Sequence, residues 1–252
     1  MKSLCRSALP AALALLAFTV PAGAAETTVA VAANFTEPAK EIATAFTAKT
    51  GHTAVLSFGS TGQFHTQITQ EAPFAVLLAA DAETPKTLEG EGLAVAGSRF
   101  TYAIGRLVLW SKSPGLPAGE AALRSGAFEK LSIANPKVAP YGAAGVQALT
   151  RLGLSEALAP KLVQGNNIAQ AFQFVDTGNA ELGFVALSQV IAKAGAQYWL
   201  VPAALYDPIL QDAVLLKKGE SDAAALAFLA FLKGPEALKV IEKYGYGLAS
   251  GG

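Results

Sequence analysis

The sequence predicts an α/β protein of two lobes, each a mainly parallel sheet flanked by helices, with a ligand cleft between them. Short apolar runs of β-type alternate with segments of helical period along most of the chain. One long extended stretch, Phe100 to Trp110, interrupts that alternation. A late apolar run, Ala213 to Leu216, reads as a strand that carries the chain back. Strand and helix in succession give a parallel sheet with helices on its faces, and two crossings divide the chain into two such units.

Taken in order, Thr28 to Ala33 reads as a buried strand, and Pro38 to Lys49 places Ile42, Ala45 and Phe46 on one helical stripe that Gly51 stops. Ala54 to Phe58 is a second strand, Gly62 to Gln70 a helix, and Phe74 to Ala80 a third strand. Thr84 to Gly92 forms a short helix with Pro85 in its first turn. After the extended stretch and a loop rich in Pro and Gly, Ser113 to Gly119, a second set begins. It comprises a strand at Leu131 to Ala134, helices at Gly142 to Leu152 and Ile168 to Val175, and a strand at Leu182 to Leu187. Ala213 to Leu216 is expected to pair with Leu107 to Trp110, and helices at Ala223 to Leu232 and Pro235 to Tyr244 complete the first lobe. The expected organisation is a leader at 1–24, a discontinuous first lobe at 25–104 and 210–252, and a second lobe at 105–209.

The leader has the three parts of a cleaved secretory signal peptide: Lys2 and Arg6, an apolar run from Ala8 to Val20, and small residues from Pro21 to Ala25. That run falls short of the roughly 20 residues a spanning helix needs. An exported, periplasmic protein follows. Without Lys2 and Arg6 the chain holds 17 basic and 19 acidic residues, and its arginines, Arg99, Arg106, Arg124 and Arg151, do not cluster. Nucleic acid, which demands clustered cations, is excluded as a partner. The only cysteine is Cys5, inside the leader, and His52 and His65 share no helical face, so thiol chemistry and a zinc site are not expected.

Four places share one arrangement, an apolar strand end, a small polar turn and a helix start. They are Ala33 to Thr36, Phe58 to Gly62, Ala139 to Gly142, and Gly165 to Ile168. The first N–H groups of a helix lack partners within it and carry partial positive charge, so each turn can hold an anion. In open α/β sheets ligands sit beyond the carboxyl ends of the strands, where these turns lie. None of the four contains Lys, Arg or His. A carboxylate ligand normally draws an Arg fork, whereas a fully ionised oxyanion needs only neutral donors. Six to eight such bonds at about 1.5 kcal/mol each give about 9 to 12 kcal/mol before closure is charged against them.

Each turn also has a plainer reading: Asn34 and Ser60 as helix caps, Gly59 and Gly62 as turn geometry. Gly59 to Gly62 lacks the Gly-Lys-Ser/Thr ending of a nucleotide loop, and Ser60 with His65 and Asp81 lacks a Gly-x-Ser-x-Gly elbow. Asp81 reads as a cap for the helix containing Pro85, and Tyr198-Trp199 and Tyr244 to Tyr246 as packing residues.

At these turns the chain resembles the periplasmic molybdate-binding proteins that feed an ABC importer, members of the type II two-lobed solute-binding fold. The resemblance rests on Val29 to Phe35, Gly51-His52, Ser57 to Gly62, Gly97 to Gly105, Asn135-Pro136, Ala139 to Gly142, Leu182 to Leu187 and Lys233 to Pro235. It implies a molybdate or tungstate oxyanion as the transported ligand, with no cofactor and no catalysis, and a monomer that delivers its cargo to a membrane permease. Carried over by position, Asn34 is the first-turn donor, Thr61 with Ser60 beside it supplies hydroxyl donors, and Tyr141 and Ile168 donate backbone N–H groups. One branch of the family has a ligand-binding tyrosine where Ala186 stands here. The Asn34 side-chain amide is then the expected replacement donor, and Thr61 stands in place of a more usual serine. The alternatives are a receptor for another oxyanion or small organic anion, or an exported hydrolase or transferase using Ser60 or Asp81.

Overall fold

The structure, a computed structural model, describes residues 23–112, 116, 119–193 and 197–249. All of the expected leader but Gly23 and Ala24, and most of the loop from Ser113 to Gly119, lie outside the described residues.

In the first half, β1 (Glu26–Ala32) runs through a 3-10 turn at Ala33–Phe35 straight into α1 (Thr36–Thr50). There follow β2 (Thr53–Gly59), α2 (Thr61–Thr69), β3 (Val76–Leu78), α3 (Glu83–Gly90) and β4 (Phe100–Gly105). The second half holds β5 (Leu107–Ser111), α4 (Glu120–Ser125), β6 (Leu131–Ala134), α5 (Pro140–Arg151), α6 (Ser155–Leu158), β7 (Leu162–Gly165), α7 (Ile168–Asp176), β8 (Leu182–Ala186) and β9 (Tyr198–Leu200). The chain then returns through β10 (Ile209–Leu215) and ends in α8 (Ala223–Leu232) and α9 (Pro235–Lys243).

The strands form two five-stranded sheets, ordered β2-β1-β3-β10-β4 and β7-β6-β8-β5-β9. In the first, β1 is parallel to β2 and β3, and β10 runs antiparallel to both β3 and β4. In the second, β6 is parallel to β7 and β8, and β5 runs antiparallel to β8 and β9. The reversed strand of each sheet is thus the one whose chain arrives from the other lobe. A chain crossing from the facing lobe enters a sheet at the carboxyl ends of its parallel strands, so it must run against them.

This topology corrects one expectation. Ala213 to Leu215 pair with β3 and β4, not with Leu107 to Trp110, whose partners are β8 and β9. The extended stretch is two strands parted at Arg106 and assigned to different sheets. Tyr198 and Trp199, read as packing residues, belong to the edge strand β9.

Each sheet is covered on both faces. Val29, Val31 and Leu215 pack with Ile42 and Phe46 of α1, Phe228 and Leu232 of α8 and Ile241 of α9. The opposite face, including Ala30 and Leu77, packs on Phe64 and Ile68 of α2 and Leu88 of α3. In the second lobe Ile133 and Phe184 pack with Ala144 and Ala148 of α5, while Val108, Trp110 and Val185 pack with Val175 of α7. The first of these second-lobe cores also contains Ala32, Ala33 and Ala80 from the first lobe, so the cleft is shut.

Candidate functional site

The four strand-to-helix turns converge on one small cavity of about 10 Å³. Its walls are Ala32, Ala33, Asn34, Gly59, Ser60, Thr61 and Ala80 from the first lobe and Ala139, Pro140, Tyr141 and Ile168 from the second. All five residues singled out in the sequence, Asn34, Ser60, Thr61, Tyr141 and Ile168, are therefore brought together. Among the described residues, no charged one lines the cavity.

Each turn is held in place by local structure. Ser60 is the N-cap of α2, and its N–H donates to Gln63 Oε1 at 3.1 Å. Its hydroxyl is buried with no hydrogen-bond partner. The plainer reading of Ser60 as a helix cap therefore holds for its place at the head of α2, opposite Gln63 in a capping box, while its hydroxyl is left over. Thr61 Oγ1 accepts the Ala80 N–H at 2.9 Å, which turns its own hydrogen elsewhere. At α5, Pro140 occupies the first turn and has no N–H, making Tyr141 the first backbone donor of that helix. A Cβ on Gly142 would sit 2.1 Å from the Ala134 carbonyl oxygen, so only glycine lets α5 begin this close to the end of β6. At α7, Asn167 caps by accepting the Gln170 N–H at 3.0 Å, and the Ile168 N–H follows in the first turn.

Asn34 requires a correction. Its side-chain amide is neither a cap nor a donor to the cavity. Nδ2 donates to Gln211 Oε1 and, at 3.0 Å, to Tyr246 Oη, and so uses both of its hydrogens. Asn34 lines the cavity, and its backbone N–H, near the start of the 3-10 turn that opens into α1, is the donor left to it for a ligand. Nor does a side-chain donor stand in for the tyrosine at Ala186, which is buried and does not line the cavity.

The electrostatics are those of dipoles. Burial holds the Tyr141 phenol well above its ordinary pKa, so it stays neutral. Arg99 binds Asp212 at 2.6 Å, Arg124 binds Glu120 at 2.6 Å and Arg151 binds Asp207. Asp81 accepts the Thr84 N–H at 2.7 Å and lies in a larger, more open cavity beside this one. Burial raises its pKa. His65 faces Glu91 at 3.5 Å. With the Ser60 hydroxyl unpartnered, neither His65 nor Asp81 is placed as its base. No group of three or more metal-ligating side chains occurs among the described residues, and no helix there is long and apolar enough to cross a membrane.

Some site features were silent in the sequence. Gln211, Tyr246 and Ser188 are buried behind Asn34, and their neighbours come from residues 58 to 212 positions away. Across the cleft, the Gly62 N–H donates to the Val138 carbonyl at 3.0 Å. No spacing rule reveals such pairs.

Two lobes of mixed sheet, a chain that crosses twice, and a small cavity walled by helix starts from both sides define a two-lobed solute-binding protein. Residues 27–247 match the family described as bacterial extracellular solute-binding protein. The chain is 58% identical over 236 residues to the molybdate-binding protein ModA of Rhodobacter capsulatus, covering 93% of this chain and 94% of that one. It is 60% identical over 231 residues to ModA of Azotobacter vinelandii, covering 90% and 92%. A solved structure of the periplasmic molybdate-binding protein of Azotobacter vinelandii superposes with a TM-score of 0.86 at 41% identity, covering 89% of this chain and all (100%) of the other. The chain belongs to the ModA family of periplasmic solute-binding proteins.

Proposed function

We propose that this protein captures molybdate or tungstate in the periplasm, holds it between its lobes, and delivers it to the membrane permease of an ABC importer. The observation that carries this reading is the uncharged cavity, walled from both lobes by the first turns of four helices, with a buried hydroxyl that has no partner. The names of its relatives point the same way.

In this reading the ligand accepts hydrogen bonds from the Asn34, Tyr141 and Ile168 N–H groups and from the Ser60 and Thr61 hydroxyls. Every one is a neutral donor aimed along a helix start or from a capping position, so a dianion is stabilised without a counter-cation. The ligand bonds donors of both lobes only when the cleft is shut, and it thereby shifts the population towards the closed form. No carboxylate faces the cavity to accept a proton, which disfavours protonated phosphate. Sulfate has the same charge and shape with shorter bonds. Backbone donors tied to helices cannot contract to reach it, and this fixed spacing sets the preference.

The ligand is carried, not transformed: its donors include no positioned base. The protein works as a monomer after removal of its leader. Calorimetric titration with molybdate, tungstate and sulfate tests the reading. Tight binding of the first two and weak binding of sulfate is the expected result. Equal affinity for all three would remove the selectivity argument, and no binding would remove the site.

A further inference from the structure

Behind the cavity lies a buried polar cluster of which Asn34 alone reaches the cavity wall. Asn34, after β1, and Gln211, on β10, belong to the first lobe. Tyr246 belongs there too, since the neighbouring Gly247 bridges Ile104 of β4. Ser188 follows β8 and is the one member from the second lobe. Its Oγ donates to the Asn34 carbonyl at 2.8 Å. Tyr246 Oη reaches the same carbonyl at 2.8 Å and Ser188 Oγ at 3.0 Å. Two hydroxyl hydrogens thus serve three contacts: Ser188 donates to the carbonyl, and Tyr246 shares its hydrogen between the carbonyl and Ser188 Oγ. Asn34 and Tyr246 are at most 5% exposed and Ser188 is 7% exposed, so little water competes.

We propose that Ser188 is a positioning residue of the oxyanion site, a latch by which the second lobe grips the backbone of the first ligand-binding turn. The ligand coupling rests on the reading of the cavity given above. Within the first lobe, Gln211 and Tyr246 hold the Asn34 side chain, and Tyr246 alone satisfies its carbonyl. Shutting the cleft adds the Ser188 hydroxyl to that carbonyl. Residue 34 is then fixed at its side chain and its oxygen while its N–H faces the ligand. A hydrogen bond that exists only in the closed form stabilises only that form, so it slows opening and ligand release.

The test is Ser188→Ala, with Ser188→Thr as the hydroxyl-keeping control. Without the hydroxyl, Tyr246 still serves the Asn34 carbonyl, so the ligand-free melting temperature of Ser188→Ala should match the wild type. Its molybdate affinity should fall about tenfold, carried by faster dissociation in stopped-flow measurements, and Ser188→Thr should restore most of the loss. Unchanged affinity and dissociation rate in Ser188→Ala, beside a wild type that binds molybdate, would overturn the latch and leave the oxyanion site standing. Equal losses in Ser188→Ala and Ser188→Thr, or a lowered ligand-free melting temperature that accounts for the loss, would overturn it as well. A wild type that binds neither molybdate nor tungstate would overturn the site and the latch together.

Discussion

The amide of Gly62, in the first turn of α2, donates to the carbonyl of Val138 across the cleft at 3.0 Å, joining the lobes beside the anion cavity. A Cβ at Gly62 would lie 3.0 Å from both the Cα and the Cβ of Val138, close enough that the facing lobe must shift to admit it. Gly62→Ala should therefore oppose closure while leaving each lobe intact. An overpacking cost of about 1–2 kcal/mol borne by the closed form alone weakens molybdate binding roughly 5- to 30-fold. Calorimetry on the variant, with ligand-free melting as the control, checks this.

Ser60→Ala removes a hydroxyl that has no partner in the ligand-free protein. Stability without ligand should be unchanged or slightly higher. Affinity should fall at least tenfold, since a hydrogen bond to a charged ligand is worth about 1.5–3 kcal/mol. Parallel melting curves with and without saturating molybdate separate the two effects.

Asn34→Ala should behave in the opposite way. It strips the donors from Gln211 Oε1 and Tyr246 Oη, both buried. Leaving such groups unsatisfied costs about 1–3 kcal/mol of stability. Denaturant unfolding of the ligand-free variant measures that loss directly, and any drop in affinity follows from the loosened turn.

Asp81 makes stability depend on pH. Burial raises its pKa in the folded state, so between the unfolded value, about 3.9, and the raised one the native protein holds more proton than the unfolded chain. Its contribution to stability therefore falls as pH rises through that window. Asp81→Asn, which keeps an acceptor for Thr84, should flatten that slope and leave stability at neutral pH equal or higher. Melting temperatures across acidic to neutral pH, for both proteins, decide it.

Oxyanion affinity should be flat from about pH 6 to 9. Among the described residues Tyr141 is the only ionisable side chain in the cavity wall, and burial holds its pKa well above the ordinary tyrosine range. Tyr246 behind it is pushed up to about 12 by burial. Titrations in buffers across that range check it, and a steep fall in affinity would reveal a titrating partner at the ligand.

Much of this was legible in the residues. Apolar runs bounded by small polar turns located β1, β2, β6 and β8 closely, and Gly51 marked the end of α1 through capping chemistry that acts locally. The convergence of Asn34, Ser60, Thr61, Tyr141 and Ile168 on one cavity followed from the rule that parallel strands present their following turns at one edge. The failures were of tertiary origin. Whether Ala213 to Leu215 pairs with β4 or β5 depends on which lobe each strand joins, and residue pattern does not record that. The Asn34 amide looked like a ligand donor because its partners, Gln211 and Tyr246, lie 177 and 212 residues away. β7 and β9 were missed because their short runs are half-exposed and lack the wholly buried apolar character that marks β6.

A crystal structure of the molybdate complex, with the metal located by its anomalous scattering, tests the central claim most directly. The account predicts the oxyanion in the small cavity, within hydrogen-bond distance of Ser60 and Thr61 on one lobe and of the Tyr141 and Ile168 N–H groups on the other, with no lysine or arginine in contact. Molybdate bound to one lobe alone, or paired with a basic side chain, would contradict it.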